Sequence, residues 1–344
     1  MGRAEGRRRL HEWFVRVRRR LPWRQTDDPY RIWVSEIMLQ QTRAETVIPY
    51  YQRFVDRFPD LKSLADAEPD EVRSFWSGLG YYRRAQLMLR CAKVIGERHG
   101  GRFPTDPTQL AELPGFGPYT VGAVASLAFG LPVAAVDGNV ERVVSRLLAL
   151  EGDIKGRARS RRIREEANSW VDGPSPGRTN EALMELGATV CIPRNPRCLV
   201  CPLHEDCEAR RQGIQDSIPP PKTRKPAQLL EFDAVIFLEK TRIALVKGSA
   251  NGLFPEMWCV PLERPNHDLS SNDFVARVEH RLTHRTLSLR VRYGSMNVPS
   301  GARMVELSDL HRVATPTVVP KILKVSLPKE LLDIARWRDR VRRR

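Results

Sequence analysis

Three groups of residues in this chain have types and spacings that can do chemistry. The first is a pair of carboxylates. Glu36 stands mid-pattern in Trp33-Val34-Ser35-Glu36-Ile37-Met38-Leu39. If an acid among apolar neighbours is buried, desolvation raises its pKa and it keeps its proton nearer neutral pH. The plainer alternative is an exposed residue on an amphipathic helix. Asp137 follows the apolar stretch Pro132 to Val136 and precedes Gly138-Asn139. It reads as the N-cap of a helix starting at Val140, a role that leaves room for a second one. The second group is Cys191, Cys198, Cys201 and Cys207, spaced C-x6-C-x2-C-x5-C. Four thiolates suit tetrahedral zinc or an iron–sulfur cluster. Structural zinc usually takes two C-x2-C knuckles and only one is present, so the spacing favours iron–sulfur while leaving zinc open. Cys91 and Cys259 read as isolated buried thiols. The third group is Leu113-Pro114-Gly115-Phe116-Gly117-Pro118. Its glycines permit backbone angles closed to other residues, and Pro118 suits the first position of a following helix. Amides at such a helix start can hold a backbone phosphate; the alternative is an ordinary tight turn.

The elements that must position these groups are mostly helical. Trp33, Ile37 and Gln40-Gln41 lie at helical spacing in a run without Gly or Pro from Arg31 to Ile48. Further helical patterns cover 70–77, 83–98, 118–129, 139–149, 160–171 and 179–190, separated by short Pro/Gly breaks. Residues 30–210 therefore read as all-α. The stretch 213–229, with Pro219-Pro220-Pro221, Lys222, Arg224 and Lys225, signals an extended basic linker. Beyond it, Phe232 to Leu238 and Ile243 to Val246 are β-branched-rich runs joined by a short charged turn. Leu287, Leu289 and Val291 alternate with polar residues, the mark of a half-buried strand. Residues 230–344 thus read as a smaller α+β domain.

The chain has 344 residues, enough for two domains. Its longest mostly apolar run, Ala123 to Val136, is too short and too interrupted to cross a bilayer. No signal-peptide pattern follows the basic N-terminus, so secretion is not expected. The net charge of +16 draws the chain towards a polyanion, nucleic acid first. Residues 1–24 hold nine Arg against Glu5 and Glu12, and residues 336–344 hold six against Asp339. Each end reads either as a solvated, frayed tail or as a phosphate-contacting segment.

With these residues in view, the sequence closely resembles the MutY-type adenine DNA glycosylases of the endonuclease III, or helix-hairpin-helix, superfamily. The matching segments are LPWR (21–24), SEIMLQQT (35–42), GLGYYRRA (78–85), LPGFGPYT (113–120), VDGNVERV (136–143), NEALMELGA (180–188) and the four-cysteine run. They come in the family's order over about residues 21–210, and a weaker likeness extends into 230–300. The resemblance implies a mainly α protein. An all-α helix-hairpin-helix glycosylase domain with a [4Fe-4S] cluster on the four cysteines spans 1–212. The linker over 213–229 leads to a smaller α+β, Nudix-like lesion-recognition domain over 230–344. The implied activity is removal of adenine mispaired with 8-oxoguanine or G, by base flipping, in base excision repair. The implied partner is double-stranded DNA, met by a monomer in the cytoplasm, at the nucleoid, with no membrane.

Residue by residue, Glu36 matches the family's catalytic acid and Asp137 its second carboxylate. Tyr119 stands where the lyase branch carries a Schiff-base Lys, so no imine forms and the strand stays intact. Trp23, Arg24, Leu39 and Glu181 match positions around the extruded adenine. Gln41, Thr42 and Tyr81 match residues that enter or line the duplex at the lesion, and Gly115, Gly117 and Asn139 match DNA-binding positions. In the second domain Leu282-Thr283-His284 stands where the family has Phe-Ser-His, which makes Thr283 and His284 the lesion-recognition residues. Pro255-Glu256 replaces residues that are usually small, and no glutamate-rich Nudix helix is present, so diphosphate hydrolysis is not expected. The chemistry suits the residue types. A protonated Glu36 lets adenine leave neutral, and an ionised Asp137 stabilises the oxocarbenium left on the sugar. The rivals are a pyrimidine or thymine-mismatch glycosylase of the same superfamily, and a non-catalytic iron–sulfur protein that only marks lesions.

Overall fold

The computed structural model describes residues 2–151, 156–220, 226–248, 252–266, 268–295 and 297–336. The linker residues 221–225 and the basic run 337–344 lie outside the described residues. The first part of the chain is helical: α1 (Arg3–Val17), α2 (Pro29–Leu39), α3 (Ala44–Arg57), α4 (Leu61–Ala65), α5 (Pro69–Trp76), α6 (Arg83–Arg98), α7 (Pro107–Ala111), α8 (Pro118–Leu127), α9 (Gly138–Leu147), α10 (Arg157–Val171), α11 (Pro176–Thr189) and α12 (Glu208–Arg211). Among the described residues, no helix is long and apolar enough to cross a membrane. Contacts divide the chain into two compact units, Met1–Ala65 with Arg90–Thr223, and Asp66–Leu89 with Arg224–Arg344.

The first unit is built of packed helices. Val140, Val143, Val144 and Leu147 of α9 meet Leu183 and Leu186 of α11, and Leu10, Trp13 and Phe14 of α1 join the same core. Each such side chain, fully buried, contributes about 1.5–3 kcal/mol. The N-terminus is therefore an ordered helix, not a frayed tail. Several of its arginines have partners within the protein. Arg3 pairs with Glu166 at 2.5 Å, Arg9 pairs with Asp206 at 2.6 Å, and Arg7 Nε donates to the Trp170 carbonyl at 2.8 Å. The continuous helical run expected over 31–48 is also corrected. α2 ends at Leu39 because Gln41 adopts a left-handed backbone (φ 56°), and Thr42 N–H closes a turn on the Leu39 carbonyl at 3.1 Å. The stretch 213–220 is not extended. It turns, and buried Ile218 gives its carbonyl to Arg146 Nε at 2.7 Å.

The second unit carries β1 (Gln228–Ile236), β2 (Leu238–Glu239), β3 (Arg242–Lys247), β4 (Trp258–Cys259), β5 (Leu262–Glu263), β6 (Ala276–Arg281), β7 (Arg285–Tyr293) and β8 (Arg303–Glu306), then α13 (Val318–Ser326) and α14 (Lys329–Ile334). One sheet has the order β5-β1-β7-β6; the other has β2-β3-β4 with β8 on β3. β1 runs parallel to β7, with Phe232 opposite Leu289 and Ala234 opposite Val291. Leu287, Leu289 and Val291 point into the core, as their alternation requires, and α13 adds Val318, Val319, Ile322 and Leu323. Residues 66–89 belong to this unit. Ser77 Oγ donates to the Thr315 carbonyl at 2.6 Å, and Trp258 Nε1 donates to Asp70 at 3.4 Å. A linker signal does not reveal this, because the recruiting partners lie 238 and 188 residues away along the chain.

Candidate active site

Glu36 lies in a helix started by Asp28, whose side chain accepts from Tyr30 N–H, and by Pro29 at the first turn. Ile32, Trp33, Val34, Ile37 and Met38 are all buried, so this helix has almost no wet face. Glu36 is 5% exposed, which overturns the exposed-face alternative. Its carboxylate accepts the Tyr119 hydroxyl, delivered by the first turn of α8. Burial pushes the Glu36 carboxyl up to about 7; the Tyr119 hydrogen bond opposes the rise, Glu181 and Asp137 add to it, and Arg24 opposes it. Burial and the Glu36 charge together push the Tyr119 hydroxyl far above its ordinary range. The Tyr119 hydroxyl also lies 3.5 Å from Met184 Sδ.

Asp137 caps α9, as its place before Gly138-Asn139 suggests. Its Oδ1 accepts from Asn139 N–H at 2.9 Å and Val140 N–H at 2.7 Å, and its Oδ2 accepts from Asn139 Nδ2 at 2.8 Å. Burial raises this carboxyl above its ordinary range too; the three donors and Arg142 lessen the rise without cancelling it. The two acids therefore sit in unlike environments: a single O–H donor at Glu36, three N–H donors at Asp137. Asn139 is held in turn by Arg142, whose Nη2 donates to Asn139 Oδ1 at 2.9 Å and whose Nε donates to the Cys191 carbonyl at 2.7 Å. The approach of α11 to this point needs a glycine. A Cβ on Gly187 would lie 2.6 Å from Asn139 Cβ and 2.8 Å from its carbonyl oxygen.

The cleft also holds a set of ion pairs that the motifs only partly reveal. Trp23 and Arg24 come from a short 3-10 turn, Pro22–Arg24. Trp23 is buried edge-on against Tyr51, ring centres 5.4 Å apart. Arg24 Nε pairs with Glu181 at 3.0 Å and its Nη2 with Glu185 at 2.9 Å. Glu185 also takes Arg19 Nε at 2.8 Å. Arg19, Met184 and Glu185 escape sequence reasoning. The available signal was Glu181 and Glu185 spaced i, i+4 on one helix face, with Arg19 and Arg24 in the basic N-terminal segment. Burial raises Glu181 against the pull of Arg24. For Glu185 burial also acts upward, but the Arg19 hydrogen bonds and the Arg24 charge outweigh it and hold the carboxyl below its ordinary range.

The two acids and most of the groups around them line one cleft of about 870 Å³. It brings together Glu36, Tyr119, Asp137 and Asn139 with Trp23, Arg24, Leu39, Gln41, Thr42 and Glu181. Gly115, Gly117, Tyr81, Thr283 and His284 do not line it. Gly115 has φ 84°, open only to glycine in practice. Gly117 does not share that need: it precedes α8 in an extended conformation (φ −84°), and a Cβ there would meet nothing within 4 Å. Its smallness leaves an open face at the helix start, where no side chain caps the amides.

Within the second unit, Tyr81 and Thr283 meet although their motifs are 202 residues apart: their hydroxyls are 2.9 Å from one another. Tyr81 is exposed and left-handed (φ 48°). Leu282-Thr283-His284 forms the turn between β6 and β7, closed by Leu282 N–H on the Arg285 carbonyl at 2.7 Å. His284 is thus an exposed turn residue and not a strand residue. The departing stretch around Pro255-Glu256 is packed, with Leu253, Phe254 and Met257 buried.

The four cysteines border a second, smaller cavity in the first unit. Arg146, 2% exposed, reaches it and donates from Nη1 to Cys191 Sγ at 3.2 Å. Among the described residues, no three His, Cys, Asp or Glu side chains converge to hold a single metal ion.

The chain is similar to known proteins of one superfamily. The HhH-GPD superfamily base excision DNA repair protein family matches residues 34–172. The adenine DNA glycosylase of Buchnera aphidicola subsp. Baizongia pistaciae is 32% identical over 291 residues, spanning 78% of this chain and 80% of that protein. The human adenine DNA glycosylase is 31% identical, spanning 92% of this chain and 73% of that protein. Among solved structures, a thermostable thymine-DNA glycosylase superposes with TM-score 0.56 at 30% identity, covering 61% of this chain and 97% of that one. An endonuclease III trapped on DNA superposes with TM-score 0.51 over 62% of this chain and 99% of that one; at 20% identity it speaks for the fold alone. On these matches the chain is a DNA glycosylase and belongs to the adenine DNA glycosylase family within the HhH-GPD superfamily of base excision DNA repair proteins.

Proposed function

We propose that this enzyme removes adenine from duplex DNA in which it faces 8-oxoguanine or G, as a monofunctional glycosylase of base excision repair inside the cell. A base within a stack is out of reach, so the adenine is turned out into the cleft, at a cost of a few kcal/mol. There Trp23, Arg24, Leu39 and Glu181 surround it. Glu36, protonated, gives its proton to a ring nitrogen while the C1′–N9 bond breaks with its electron pair going to the base, so adenine leaves neutral. Asp137, ionised on its three donors, stabilises the positive charge on the sugar. Water then adds to C1′ and gives up a proton. Tyr119 holds the acid and offers no amine, so the strand is left uncut. Gln41, Thr42 and Tyr81 engage the duplex at the lesion. Asn139 and the open helix start behind Gly115 and Gly117 take the DNA backbone. Thr283 and His284 read the oxidised base opposite.

The observation that carries this reading is that a buried carboxyl, pushed to about 7, shares one cleft with a half-buried one furnished with three donors. Its test is release of free adenine from a duplex with a single A:8-oxoguanine pair. We expect release by the wild-type chain and none above background by Glu36→Gln; release at the wild-type rate by that variant overturns the assignment.

The domain limits proposed along the chain are 1–212 for the glycosylase domain, 213–229 for the linker and 230–344 for a Nudix-like lesion-recognition domain, acting as a monomer, with residues 66–89 packed in the second unit and 213–220 in the first. The cysteine set suits a [4Fe-4S] cluster better than zinc. The spacing has a single C-x2-C pair, the four cysteines line one cavity, and the buried Arg146 beside Cys191 offsets thiolate charge. Cys191, Cys198, Cys201 and Cys207 would hold the cluster, whose chemistry here is ligation that staples the loop.

A further inference from the structure

The wall of the cleft facing Glu36 is a closed circuit of charge. Glu185 lies one turn beyond Glu181 on α11, with a side chain that is 0% exposed. Its carboxylate grips two guanidinium groups: Arg19 through Nε at 2.8 Å and Nη2 at 3.1 Å, and Arg24 through Nη2 at 2.9 Å. Arg24 is bound on its remaining sides as well. Nε meets Glu181 at 3.0 Å, Nη1 donates to the Arg19 carbonyl at 3.2 Å, and the Phe14 ring lies 5.3 Å beneath. A planar fork held in this way has one orientation. Arg19 Nη1 also reaches the exposed Glu45 at 3.3 Å, so each of the two cations has anionic partners.

We infer that Glu185 is a positioning residue of the adenine site, acting through Arg24, and that Arg19 is its counterweight, so that the pair sets both the aim of Arg24 and the net charge facing Glu36. This rests on the proposed role of Glu36 as proton donor. The groups facing Glu36 are Tyr119 from α8, Asp137 at the start of α9, Glu181 from α11 and Arg24 from the 3-10 turn. Glu185 and Arg19 act one step behind them. Removing Glu185's charge leaves the wall more positive and favours the ionised form of Glu36. Removing Arg19's charge leaves it more negative and favours the protonated form. Because the donor must carry its proton, the first change moves the alkaline limb of the pH profile down and the second moves it up.

The experiment is single-turnover adenine release from an A:8-oxoguanine duplex as a function of pH, for the wild type, Glu185→Gln and Arg19→Gln. We expect the alkaline limb of Glu185→Gln at lower pH than wild type, with a rate loss at the optimum of about 100-fold at most from a misaimed Arg24. We expect the limb of Arg19→Gln at higher pH. Opposite displacements are a signature that a packing role does not produce. Limbs that stay put, or that move in the same direction, overturn the inference while wild-type release leaves the proposed function standing. Absence of adenine release by the wild type overturns both. Should Glu185→Gln fail to fold, Arg19→Gln decides by the sign of its shift, since the Arg19 side chain is 37% exposed and tolerates replacement.

Discussion

The acid cleft of the first unit and the β6–β7 turn of the second are built on opposite terms. In the cleft the functional groups are buried or half-buried and have assigned partners: Glu36 holds Tyr119, Asp137 holds Asn139 and Val140, and Glu185 holds two arginines. At the turn, Thr283 and His284 are exposed, and Thr283's recorded side-chain bond is the one to Tyr81. The difference follows from what each region has to do. Proton donation near neutral pH needs a carboxyl raised by desolvation, hence burial and a fixed frame. Reading a base needs polar groups held near a surface where that base arrives, hence exposure and a light tether. Substitutions should therefore act on rate in the first region and on discrimination in the second.

The largest effect is expected at Glu36. Glu36→Gln keeps the shape and loses the proton, so adenine release should fall by about 10²–10⁴-fold, the usual worth of a general acid. Binding to lesion DNA should survive, checked by gel shift. Asp137→Asn comes next, with a loss of about 10²–10³-fold as the charge facing the sugar cation disappears. Asn caps helices about as well as Asp, so its melting temperature should stay close to wild type. A large drop in melting temperature with unchanged rate per folded molecule would make Asp137 a cap and nothing more.

Tyr119 sharpens the comparison, because its effect is on pH and only weakly on rate. The alkaline limb of wild-type activity should lie near the value of about 7 set for Glu36. The Tyr119 hydroxyl favours the ionised acid, so Tyr119→Phe should move that limb to higher pH, with a rate change at low pH of about fivefold at most. Tyr119→Lys places an amine there, and a borohydride-trapped adduct with some nicking is expected.

Much of the cleft was legible because its residues sit in short local motifs: Glu36 in an apolar run, Asp137 before Gly-Asn, Tyr119 after a Gly-x-Gly turn. Local patterns predict caps and helix starts well, and those positions hold. What stayed hidden is what only tertiary packing decides. Glu36 has the same neighbours in sequence whether its helix face is wet or dry. Gln41 ends α2 without Gly or Pro, where tertiary contact overrides propensity. Arg19 and Glu185 are 166 residues apart, and no spacing rule joins them. The same holds for residues 66–89, which pass for part of one helical domain until their side chains are seen on the second unit.

The smallest expected effect tests the other half of the comparison. If Tyr81 and Thr283 read the opposite base as one unit, Thr283→Ala and Tyr81→Phe each remove the hydrogen bond between them. One neutral, exposed hydrogen bond contributes about 0.5–1.5 kcal/mol, so each variant should lower the preference for A:8-oxoguanine over A:G by about tenfold at most. Adenine release from A:G itself should barely change, because both side chains belong to the second unit and the acids to the first. The double variant should lose no more preference than either single one, since the second substitution finds the bond already gone. Losses that add would mean two independent contacts. Equal wild-type rates on the two substrates, unaltered in His284→Ala, would remove base reading from this turn altogether and leave the second unit without the role its exposure suggests.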